Sequence, residues 1–145
     1  MDSREDLSRY RLSLAQETLD TAKMCYEHGK YRDANNRIYY AVFYAIRAVL
    51  ALEGTDFKRH KDVLAYFNKN YIAKEELPKQ LGKRVSKLKI VREESDYNDL
   101  YVISEIETKE QIESAEYIYK EISSYLEKRF DKLSNINELT QKAQD

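Results

Sequence analysis

Apolar positions along the chain recur at three- and four-residue intervals, the spacing that gathers side chains on one face of an α-helix. Leu12, Ala15, Leu19, Ala22 and Tyr26 trace a first helix, and Gly29 supplies a left-handed stop. A second helix is predicted over 31–53 with Gly54 as its stop, and the one-glycine link makes the two an antiparallel hairpin. Segment 60–70 places Val63, Leu64 and Phe67 on one face and is predicted as a shorter helix. Beyond Pro78, which suits a first helical turn, Leu81, Val85, Leu88 and Val91 or Arg92 trace a fourth, its beginning weakened by Gly82. The run SDYNDLYVIS breaks the period. Thr108 and Gln111 then match a capping box ahead of Ile112, Ala115, Tyr119, Ile122 and Leu126, a last helix predicted to reach about Phe130. Residues 131–145 are polar, with Leu133, Ile136 and Leu139 as a thin apolar trace. They are predicted to lie outside a 1–130 bundle, as a frayed helix or a tail.

The second helix, within NNRIYYAVFYAIRAVLALEG, separates into three stripes. Ile38, Ala41, Val42, Ala45, Val49 and Leu52 form one; Tyr39, Phe43, Ile46 and Leu50 a second; Arg37, Tyr40, Tyr44 and Arg47 the third. A helix with two apolar faces cannot lie on a surface. It is predicted to be wedged between other elements, with its cationic and phenolic stripe aimed at a crevice.

Only three glycines and one proline in 145 residues support the same picture, an all-α up-and-down bundle of about five helices in one domain. The formal net charge of −1 supplies no overall attraction for nucleic acid or membrane, so such contact needs a local patch. Lys79, Lys83, Arg84, Lys87, Lys89 and Arg92 give the fourth helix one, and Lys58, Arg59, His60 and Lys61 give another. The plain reading of both is a solvated charged face blunted by neighbouring glutamates. A single cysteine, Cys25, excludes an internal disulfide and suits a reducing compartment. With no apolar run long enough to span a bilayer and no secretory leader, a soluble cytoplasmic protein is expected. Glycine-rich phosphate loops, nucleophile elbows and the HExxH metal motif are all missing from the sequence, and no metal or cofactor is expected.

The runs YRDANNRIYYAVFYAIRAVLALEG, KRHKDVLAYF and VREESDYND, in that order, resemble the HEPN domain, a helical-bundle family named for higher eukaryotes and prokaryotes nucleotide-binding. The resemblance spans about Arg9 to Phe130. It implies frequent homodimers, a small nucleotidyltransferase as partner in toxin–antitoxin pairs, and in many members a ribonuclease dependent on an arginine followed, after four to six intervening residues, by a histidine. This chain departs from that pattern: after Arg92 come Asp96 and Tyr97, and the tyrosine stands where the histidine would be. A phenol with an ordinary pKa near 10 is a poor proton acceptor at neutral pH.

The expected role is therefore a nucleotide- or RNA-binding interaction module. Its candidate site residues are Arg37 and Arg47 for phosphate, Tyr40 and Tyr44 for stacking, and Arg92, Asp96 and Tyr97 at the cleft edge. By the resemblance, Tyr97 or Tyr101 could accept a nucleotidyl group from the partner. A toxin ribonuclease using Arg92, Asp96 or His60 is the alternative, and a ligand-free dimeric scaffold the third. Against the site reading stand plain ones: tyrosines packed between helices, arginines paired with acids, His60 as a capping or packing residue, and Arg92–Asp96 as a weak helical ion pair with Tyr97 capping the core.

Overall fold

The computed structural model describes residues 3–144 and contains five α-helices, with no strand among the described residues. They are α1 (Ser3–Glu27), α2 (Tyr31–Leu52), α3 (His60–Phe67), α4 (Lys79–Tyr97) and α5 (Glu105–Gln144). One wide π-helical turn, Asn68–Ile72, continues α3. The all-α expectation is met.

Helices α1 and α2 are an antiparallel pair. Arg4 donates to the Glu53 carbonyl, Ser8 to Ala48 and Arg11 to Arg47, so residue numbers rise on one helix as they fall on the other. Gly29 turns the chain at φ +73 and Gly54 ends α2 at φ +78. At Gly54 the positive φ disfavours any side chain, and a Cβ there would also stand 2.5 Å from the Arg4 guanidinium carbon, so that flexible arginine would have to swing aside.

As its two apolar stripes require, α2 lies at the centre and packs on all four other helices. Ile38, Ile46 and Leu50 are fully buried, as are Phe67 of α3, Leu81 of α4 and Ile118, Ile122, Leu126 and Phe130 of α5. Asn35 fastens α2 to α5 by a buried hydrogen bond of 2.9 Å to the Thr108 hydroxyl. Because a buried amide must be paired, that bond also fixes the register between the two helices.

Four details refine or depart from the sequence reading. The start of α5 is capped by Ser104, whose hydroxyl accepts the Glu107 amide at 3.0 Å, a contact worth about 1 kcal/mol. Thr108, read as the cap, is buried one turn further in, where it donates to the Ser104 carbonyl. Pro78 sits before α4 in an extended conformation, not within its first turn. Gly82 is buried with Ile72 so near that an added Cβ would meet it at 2.9 Å, so it serves close packing. Finally, α5 does not stop near Phe130 but runs unbroken to Gln144, although Phe130 is the last buried one among the described residues.

Candidate functional site

The cationic stripe of α2 divides between two hollows. Arg37 and Arg47 are ten residues apart, about 15 Å along a helix, and they serve different surroundings. Arg37 donates to Asn36 Oδ1 at 2.8 Å, lies over the Tyr40 ring and borders a groove lined by Glu17, Thr18 and Asp20 of α1. Arg47 lines a hollow of about 360 Å³ with Phe43, Asp56, Phe57, Lys58 and His60. Tyr40 and Tyr44 join the two ends, half-buried with ring centroids 6.1 Å apart.

In the second hollow the Asp56 carboxylate accepts from Arg47 at 2.7 Å and from Arg11 at 3.3 Å. Burial raises its pKa, but the Arg47 hydrogen bond, the Phe57 amide and the charges of Arg47 and Arg11 outweigh that and hold it below the ordinary carboxylate value. One carboxylate thus serves two guanidinium groups. With Lys58 alongside, the hollow keeps an excess of positive charge, and Arg47 Nε is buried there with no hydrogen-bond partner among the described residues.

His60 begins α3 and closes the hollow. Its ring stacks on Phe43 with centroids 4.0 Å apart, meets Tyr40 edge-on, and its Nδ1 lies 3.4 Å from the Tyr39 hydroxyl. Burial lowers its pKa, and the positive charges of Arg92 and Arg47 lower it further, so the imidazole is neutral at neutral pH. Arg92 reaches this cluster from α4. Its guanidinium lies 4.7 Å from the Tyr39 ring centroid and 5.4 Å from that of Tyr40, and it donates to the Tyr40 hydroxyl at 3.4 Å. Asp96 holds it at 3.1 Å from Nε. That nitrogen makes no directed hydrogen bond, so the pair is an ion contact and not a fork.

Tyr39 is the residue that the sequence reading assigned to packing alone. It is 4% exposed, as a packing residue should be, yet Arg92 lies 4.7 Å from its ring centroid and its hydroxyl meets the His60 imidazole. Burial raises its pKa, partly opposed by Arg92, so the phenol keeps its proton. The available signal was a polar hydroxyl within an otherwise apolar stripe.

The remaining candidates lie apart. Tyr97, at the end of α4, is 76% exposed and so does not cap the core. Tyr101 follows it in the connection to α5, where its hydroxyl donates to Glu107 at 2.5 Å. Burial, that bond and the charges of Glu107 and Glu94 push its pKa up to about 12. No group of three or more possible metal ligands occurs among the described residues, and none of their helices is long and apolar enough to cross a membrane.

Three comparisons bear on this arrangement. The HEPN domain pattern matches residues 8–129. A UPF0332 protein of Thermotoga maritima is 34% identical over 127 residues, covering 88% of this chain and 96% of its own. A Methanocaldococcus jannaschii protein named "Putative toxin" is 29% identical over 116 residues, covering 80% of this chain and 82% of its own. The crystal structure of a Thermotoga maritima HEPN domain protein superposes with a TM-score of 0.51 at 20% identity, over 86% of this chain and 98% of that one, a likeness of fold alone.

Proposed function

The chain belongs to the HEPN domain family, and on that premise we propose that it is a dimeric nucleotide- or RNA-binding module that pairs with a small nucleotidyltransferase in a toxin–antitoxin system. The ligand half of the reading rests on the hollow beside His60, where Arg47 and Lys58 supply charge for phosphate and Phe57 offers a half-buried ring for a base. Single-stranded RNA suits such a site because its unstacked bases have free faces and its backbone a regular negative charge. Arg92, braced by Asp96 and two rings, supplies a further fixed cation at the edge.

A second reading, cleavage of the bound RNA, is favoured by one observation. His60, from a different helix, is held neutral in the same aromatic cluster as Arg92. A neutral imidazole can remove a 2′-hydroxyl proton while a guanidinium steadies the phosphate.

Titrating labelled short single-stranded RNA by fluorescence anisotropy, with gel analysis of the same samples, separates these readings. Binding is expected to weaken about tenfold or more in the double variant Arg47→Ala, Lys58→Ala, with a shallower salt dependence for two lost phosphate contacts. Intact RNA at the end supports the module. Cleavage that His60→Ala abolishes supports the ribonuclease. RNA affinity equal in wild type and double variant removes the hollow from the function.

The partner half is supported by the family and by the toxin name of one relative. Co-expression with a nucleotidyltransferase encoded next to this gene is expected to yield a stable complex and, with nucleoside triphosphate, a mass increase of one or more nucleotidyl units. We assign the acceptor to Tyr97, whose phenol is open, ahead of Tyr101, whose phenol is tied to Glu107. A peptide map showing neither tyrosine modified in the complex defeats that assignment.

A further inference from the structure

The outer face of α4 has an order that neither the RNA site nor the core accounts for. Lys83, Lys87, Ile90, Glu94 and Tyr97 are all exposed and follow one another at intervals of four, three, four and three. That is the spacing of a helix seam made to meet another helix. Most of its positions are charged, so it is no ordinary core face. The sign of the charge is sorted: lysines occupy the N-terminal half, a glutamate and the added Glu93 the C-terminal half, with Ile90, 57% exposed, at the midpoint.

We propose that this face is the contact between two copies of the chain, with α4 packed antiparallel on the partner's α4 about a two-fold axis at Ile90. It rests on the dimeric part of the reading above and is independent of the RNA site. Turning a second helix end for end about Ile90 lays Ile90 on its own copy, Lys87 on the partner's Glu94 and Glu93, and Lys83 beside the partner's Tyr97. A two-fold contact uses the same patch twice, so a patch positive at one end and negative at the other complements itself only in this orientation. Parallel packing would set lysine on lysine.

The ends of the helix extend the contact. Leu100, 91% exposed, lies just beyond the C-terminus of α4 and hence beside the start of the partner's α4. There each copy carries a hollow of about 390 Å³ lined by Glu75, Glu76, Leu77, Pro78 and Lys79. The helix is about 28 Å long, and the loops at both ends add area toward the roughly 800 Å² per partner of a stable interface. Glu94 is only lightly engaged in its own subunit, accepting from Asn98 Nδ2 at 3.3 Å, while Glu93 makes a long ion contact of 4.0 Å with Lys89. In this packing the partner covers Tyr97, so the nucleotidyl transfer proposed above acts on the monomer.

Sedimentation velocity on the full chain tests this surface through charge exchange. Wild type is expected to sediment as a dimer. Lys87→Glu alone sets three acids together and Glu94→Lys alone sets lysine on lysine, so each is expected to dissociate about tenfold more readily. An equimolar mixture of the two variants restores opposite charges across one of the two symmetric contacts and replaces like with opposite at the other, and is expected to return to dimer. Both positions are exposed, and circular dichroism melts of each variant serve as the check that it is folded. A dimer unmoved by either single variant, or a mixture that stays monomeric, overturns the surface while leaving a dimer elsewhere. A monomeric wild type overturns both the surface and the dimeric part of the proposed function; RNA titration is unaffected by any of these outcomes.

Discussion

Phe130→Ala is expected to destabilise the protein by about 3–5 kcal/mol, measured by urea denaturation, while removing residues 131–145 is expected to shift the midpoint far less. Phe130 is fully buried at the point where α5 leaves the bundle. Its ring carries the Arg9 guanidinium 4.1 Å from the centroid, and Arg9 in turn holds the buried Glu5 at 3.2 Å. Truncation to alanine opens a cavity and also loosens the arginine that pairs a carboxylate of which only 5% is exposed. Beyond Phe130 the helix has Ile136 and Leu139 exposed at 49% and 67%, and no described residue after Phe130 is buried. Helical residues without packing contribute little, because nucleation and backbone ordering cost about what their hydrogen bonds return. Equal destabilisation by both changes would mean that the arm packs on something essential to the fold.

Arg92→Ala is expected to lower stability by about 1–3 kcal/mol and to raise the pKa of His60. The side chain is 18% exposed and lies between two tyrosine rings and Asp96; its loss leaves the carboxylate, itself 25% exposed, without its partner. The His60 shift follows because Arg92 is one of the positive charges that keep its pKa below 6.5, after burial itself. A histidine whose pKa is lower folded than unfolded takes up its proton more readily when unfolded. Its stabilising contribution is therefore complete above about pH 6.5 and is lost as pH falls through that value toward the folded pKa. In Arg92→Ala the folded value moves back toward 6.5 and this acid loss shrinks. Imidazole proton resonances followed from pH 8 to 4.5 read the change directly. An unchanged His60 titration would show that Arg92 does not act on the cluster. Arg92→Lys is expected to fall between, since an ammonium keeps the charge but not the planar stacking on two rings.

Much of the fold was legible because it rests on short-range periodicity. Two apolar stripes on α2 required a central helix, and the glycines at 29 and 54 marked its hairpin and its end. The errors fell where two local signals competed. Ser104 and Thr108 are both hydroxyl residues with a suitable residue three places on, and pattern alone could not tell that Thr108 would be claimed by Asn35, 73 residues away in the chain. Likewise the polar character of residues 131–144 suggested an end to α5, but polarity reports the absence of packing and says nothing against helix.

For the site, the sequence by itself determined which side chains carry charge and aromatic surface, because type and helical spacing are local properties. It named Arg47, Arg92, Asp96 and His60, and set Arg37 and Arg47 on one stripe. Only the tertiary structure decided that His60 closes against Phe43, that Arg92 arrives from another helix to share Tyr39 and Tyr40, and that Arg37 turns to a separate, acidic groove. The reason is physical. Which groups meet across helices depends on crossing geometry and on the fit of buried volumes, quantities summed over the whole core and written at no single position.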